Sequence, residues 1–174
     1  GFPNRKLENW KFSDISQIIK KNIGELDFFN DYSFKNKIDS SIFVSGLEHN
    51  KIVFINGRIE KIEFNYEDED KIEILDEVEL KDKSSFENSL VDLNNAFTNK
   101  YYKIVVKENY ALKKPLIIYQ TTQENLHLKN INLRLDFLLK KNSCLKLIDI
   151  SNDLSEKNFI NTLYNFELNQ NSIL

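Results

Sequence analysis

The chain has 174 residues, 41% of them hydrophobic and 12% aromatic, with 27 acidic residues against 24 basic ones and a net charge of -3. That is material for one packed domain with at most a small satellite, and it offers no basic field for a phosphate backbone, so nucleic acid is excluded as a partner. No run approaches the roughly 18–20 apolar residues that cross a bilayer, so no membrane is expected, and the single cysteine, Cys144, fits a reducing, cytoplasmic setting.

In chain order, residues 13–23 read as a helix. Ser13 or Asp14 can cap it, Ile15, Ile18, Ile19 and Ile23 recur at helical spacing, and Gly24 suits its end. A second short helix is predicted over 26–34, with Leu26, Phe29 and Phe34 as contacts. From residue 41 the pattern turns to strand, with short β-branched and aromatic runs at 42–44 and 52–55. Asn56-Gly57 between Ile55 and Arg58 is a strong two-residue hairpin signal, because both central positions of a type I′ turn need positive φ. The partner strand is predicted over 58–64, with Ile59, Ile62 and Phe64 available for burial. Glu67-Asp68-Glu69-Asp70 lacks the glycine and distal glutamate of a calcium loop and reads as a solvated turn.

Helical spacing returns over 85–99, where Phe86, Leu90, Leu93 and Phe97 fall on one face and Ser84 or Ser85 can cap. Beyond Tyr101 the pattern is strand throughout, at 102–106, 116–120, 131–139, 145–150 and 159–168, and the alternation over 131–137 is strict. Long consecutive strands with little helix predict a mainly β fold with N-terminal helices. They suit a stacked, quasi-repetitive architecture, for which a β-helix and a sandwich are the two candidate shapes. The division expected is a helical and hairpin region over 1–100 and the first rungs of a stack over 101–174. The stack stops at Ile173-Leu174 as a new apolar segment begins, and the absence of any methionine sits oddly with a plain translation start. Both features lead us to expect a longer natural protein.

Candidate chemistry is sparse. His49 and His127 lie far apart, and Cys144 has no cysteine or histidine near it in sequence. Cys144 reads as a small strand residue and His127 as a strand surface residue. Glycines at 1, 24, 46 and 57 cannot form a phosphate loop, and no carboxylate pair is singled out by spacing. We therefore expect no enzyme activity, no catalytic, cofactor-binding or metal-binding residue, and no cofactor in this chain. The many Asn, Lys and Ile residues read as codon bias of an AT-rich genome.

The opening segment, Gly1-Phe2-Pro3-Asn4-Arg5-Lys6-Leu7-Glu8-Asn9-Trp10-Lys11-Phe12-Ser13-Asp14, is the most specific feature. It resembles the pattern near the start of SufD-like proteins, with Pro3, Arg5, Glu8, Trp10, Lys11 and Ser13 in register. Val53 to Arg58, Leu93 to Phe97 followed by Lys114-Pro115-Leu116, and the stretches at Arg134, 143–148 and 159–168 resemble later parts of that family in the same order. The resemblance implies a helical N-terminal region followed by a right-handed parallel β-helix. It also implies a non-catalytic scaffold role in iron–sulfur cluster assembly with SufB-like and SufC-like partners. The cluster belongs to the full assembly, and the family's functional positions lie toward its C-terminal end, so none is carried over here. The competing reading is a β-helix module that binds or acts on carbohydrate, motivated by fold analogy and by Tyr101, Tyr102 and Tyr119 as exposed aromatics. A third is a short protein that only caps or competes for assembly.

Overall fold

The computed structural model describes residues 6, 27–28, 38, 40–77, 89–98, 101–122, 126, 129–152 and 158–174. The expected helix over 13–23 and the opening segment that carries the family resemblance, apart from the exposed Lys6, lie outside them. So does His127. Within the described residues the chain forms β1 (Asp27–Phe28), a 3-10 turn (Ser40–Ile42), β2 (Asn50–Ile55), β3 (Arg58–Glu63), β4 (Ile72–Glu77), α1 (Ser89–Phe97), β5 (Tyr101–Val106), β6 (Leu116–Thr121), β7 (Lys129–Leu139), β8 (Leu147–Asn152) and β9 (Phe159–Leu168). It is mostly β.

The strands make two mixed sheets. One runs β4-β5-β7-β9, with β1 against the start of β7; the other runs β3-β2-β6-β8. The β2–β3 and β4–β5 pairs are antiparallel, and the remaining pairs are parallel. From β5 onward consecutive strands alternate between the sheets, and from β7 onward each lies beside the strand two places earlier. Tyr102 aligns with Leu135, Leu116 with Leu147 and Asn130 with Phe159, offsets of 33, 31 and 29 residues. Between the sheets the chain makes a third line of contact, where Ala111, Cys144 and Ile173 form successive parallel bridges.

Alternation explains why these segments became strands. On β7 the odd residues Ile131, Leu133, Leu135, Phe137 and Leu139 are buried, while Asn132, Asp136 and Leu138 on the other face are half-buried. Leu133, Leu135, Phe137 and Leu139 of this row meet Ile52 and Phe54 of β2, Ile104 and Val106 of β5, and Leu116 and Ile118 of β6 in one core between the sheets. β2 and β6 are buried on both faces. Their outer residues Val53, Ile55, Ile117 and Tyr119 form a second cluster under Ile38, Ile42 and Phe43.

The hairpin is as the sequence predicts: Asn56 has φ 52° and Gly57 φ 78°, and Ile55 pairs with Arg58. Four expectations fail. The run at 42–44 is a 3-10 turn and bend instead of a strand, because Ile42 and Phe43 both pack down onto the outer face of β2 and β6, which an alternating strand could not do. Asp27–Phe28 falls in the expected second helix but pairs in parallel with Lys129 and Asn130, where β5 offers β7 no partner. Ile62 of β3 is 45% exposed, whereas Ile59 and Phe64 reach the core. In α1, Phe97 is exposed and the fully buried residue is Asn94, because the helix lies against a polar sheet face.

The two ends of the strand stack differ. β3 and β4 close one end as short edges rich in charged residues, with Lys51 and Lys61 both paired to Glu63, the kind of charged edge that resists further pairing. At the other end are β8 and β9, where Phe166, Leu168 and Ile173 are 41%, 49% and 63% exposed.

Candidate functional site

Four polar clusters interrupt this β framework, and each binds the chain to itself. The first fixes the turn beyond β3. Glu67 comes to rest against the loop before β6, where its carboxylate accepts hydrogen bonds from Asn50 Nδ2 (2.6 Å), the Tyr110 hydroxyl (2.8 Å) and the backbone N–H groups of Lys113 (3.0 Å) and Lys114 (3.2 Å). Burial by itself would raise this carboxyl, but the four donors outweigh it and hold Glu67 below the usual carboxylate value. The Tyr110 hydroxyl also accepts from Asp68 N–H at 2.9 Å. The acidic run is thus no uniformly solvated turn: Glu67 ties it to Asn50 of β2 and to the loop before β6, more than 40 residues away.

A second cluster secures the cover over the outer face of β2 and β6. His49, 8% exposed, places Nδ1 2.7 Å from the Leu47 carbonyl and Nε2 2.9 Å from the Tyr119 hydroxyl. A carbonyl only accepts, so Nδ1 carries the hydrogen, and in the neutral ring Nε2 accepts from Tyr119. Tyr119 in turn accepts from Val44 N–H at 3.0 Å and meets Phe43 edge-on. Both ring nitrogens are thus engaged within the chain.

The third lies on the core side near the bare end of the stack. Gln120 Nε2 donates to Asp149 Oδ1 and to the Tyr164 hydroxyl, each at 3.0 Å, while Thr162 Oγ1 donates to Gln120 Oε1 at 2.8 Å. Burial, and then the Asp149 carboxylate beside it, push the Tyr164 phenol far above its usual value.

The fourth docks α1. Asn94 Nδ2 donates to the carbonyls of Leu133 (3.0 Å) and Asn161 (2.7 Å), and Asn161 Nδ2 returns a bond to the Leu90 carbonyl (2.9 Å). Arg134, 3% exposed, forks onto Asp136 through Nε (2.8 Å) and Nη2 (3.1 Å), donates to Asn95 at 3.2 Å and lies over the Tyr101 ring. Its charge is spent on internal partners.

Asparagines also mark the corners. Asn109, Asn142 and Asn171 all take positive φ, between 56° and 59°, which asparagine tolerates better than most residues. Their amides form a ladder: Asn142 Nδ2 donates to Asn109 Oδ1 at 2.7 Å, and Asn171 Nδ2 to Asn142 Oδ1 at 3.1 Å. Some of the asparagine that the sequence suggests is compositional drift therefore has a definite place in the fold.

The clefts hold little reactive chemistry. A surface cleft of about 360 Å³ is lined by Ser41, Ile42, Tyr119, Gln120, Thr121, Ile150, Ser151 and Asn152. The titratable group among them is the Tyr119 hydroxyl, already bonded to His49 and Val44. Among the described residues no group of three or more His, Cys, Asp and Glu side chains could hold a metal ion. Cys144 is half-buried in the third line of contact, bridged to Ala111 and Ile173. Tyr101, Tyr102 and Tyr119, which the carbohydrate reading needs exposed, are 7%, 8% and 1% exposed and so cannot stack on a sugar. No helix of the described residues is long and apolar enough to cross a membrane.

No protein-family model matches this chain, and no curated protein matches it.

Proposed function

We propose that this chain is part of a non-catalytic scaffold subunit for iron–sulfur cluster assembly, and that its alternating parallel sheets are the first circuits of a right-handed parallel β-helix. The observation that carries the reading is the opening segment, where Pro3, Arg5, Glu8, Trp10, Lys11 and Ser13 stand in the register of SufD-like proteins. The strand order supports it. Strands that alternate between two sheets at offsets of 33, 31 and 29 residues, with a third bridged line through Cys144, follow the path of a chain winding through stacked circuits. Parallel crossovers of this kind are right-handed in nearly all proteins.

The polar clusters suit such a role. Glu67 fixes a turn, His49 a cover segment, Asn94 a helix, and Gln120 links neighbouring strands. In this reading the cluster is cargo of the complete assembly, the partners are SufB-like and SufC-like proteins, the setting is cytoplasmic, and no residue of this chain is assigned to iron. Affinity capture of the natural gene product from cells that co-express SufB-like and SufC-like proteins tests the proposal. Recovery of both partners in a stable complex is the expected result, and repeated recovery of the protein without either one overturns it.

A further inference from the structure

We draw no further inference here: the strongest candidate, the apolar end of the strand stack where β8 and β9 form sheet edges and Phe166, Leu168 and Ile173 are exposed, carries nothing because nothing in the structure shows what covers it.

Discussion

Replacing Phe137 with alanine removes a ring that is 1% exposed and belongs to a trio of near-parallel rings with Tyr164 and Phe166. Its neighbours are Phe166 at 5.2 Å and Tyr164 at 6.1 Å between ring centroids, both stacked nearly parallel to it. Truncating a fully buried Phe costs about 3–5 kcal/mol, through lost transfer energy and the cavity left behind. Here the cavity can partly close, because Phe166 is 41% exposed and free to lean inward, which places the expected loss near the lower bound, at about 3 kcal/mol. Leu138→Ala is the matched control: the same strand and the opposite face, half-buried, with an expected loss of no more than about 1.5 kcal/mol. Urea titration followed by circular dichroism should show a lower midpoint at unchanged slope for Phe137→Ala. The corresponding fall in Tm is about 6–12 °C for a chain of this length. A loss below about 0.5 kcal/mol for Phe137→Ala, or one smaller than that of Leu138→Ala, would mean that the buried face of β7 is assigned wrongly.

Glu67→Gln puts an NH2 group where the carboxylate meets only donors, and should cost about 1–3 kcal/mol at pH 7. The folded carboxyl lies below its ordinary value of 4.5, so its contribution is complete above that pH and disappears as pH falls through the lowered folded value. The stability gap between wild type and variant should therefore narrow on acidification, and a gap that is constant down to the acid transition would contradict the hydrogen-bond account. Gly57→Ala combines a left-handed backbone (φ 78°) with a Cβ only 2.9 Å from Ile131 Cγ2, itself a buried side chain. The strain of φ alone is about 1–2 kcal/mol, and the contact adds to it. A thermal melt within 1 °C of wild type would show that the hairpin does not pack on β7 as described.

Local signals were readable in the sequence and non-local ones were not. Asn56-Gly57 names its own turn, strict alternation over 131–137 names its own buried face, and the 159–168 run coincides with β9. β4 has no counterpart among the predicted elements, although Ile72 and Ile74 flank Glu73 in strand-like alternation. The turn at Ser40–Ile42 reads as strand on β propensity, and only the sheet surface beneath it decides otherwise. Helical periodicity located α1, but a periodicity of apolar residues could not reveal a helix seated by Asn94 on two strand carbonyls. The roles of Glu67 and His49 depend on Tyr110 and Tyr119, 43 and 70 residues away, which no local pattern announces. One long-range signal was present: asparagine at 109, 142 and 171 recurs at intervals of 33 and 29, the offsets of the parallel pairs β5–β7 and β7–β9.

The stacking of successive circuits is the claim on which the rest depends, and Cys144 provides a direct test because it is the sole cysteine. Ala111 is its parallel bridge partner 33 residues upstream, with Leu112 N–H donating to the Cys144 carbonyl at 2.9 Å and Cys144 N–H to the Tyr110 carbonyl at 3.0 Å. In-register neighbours on adjacent strands lie about 4.7–4.9 Å apart, within the Cα range a disulfide accepts. Mild oxidation of Ala111→Cys under native conditions should link the two thiols and raise stability by about 3–4 kcal/mol, as expected for closing a loop of this length. Leu112→Cys, one residue out of register, should remain reduced. Cross-linking of the first variant alone is the result the stacked circuit predicts; equal cross-linking of both, or of neither, would contradict it.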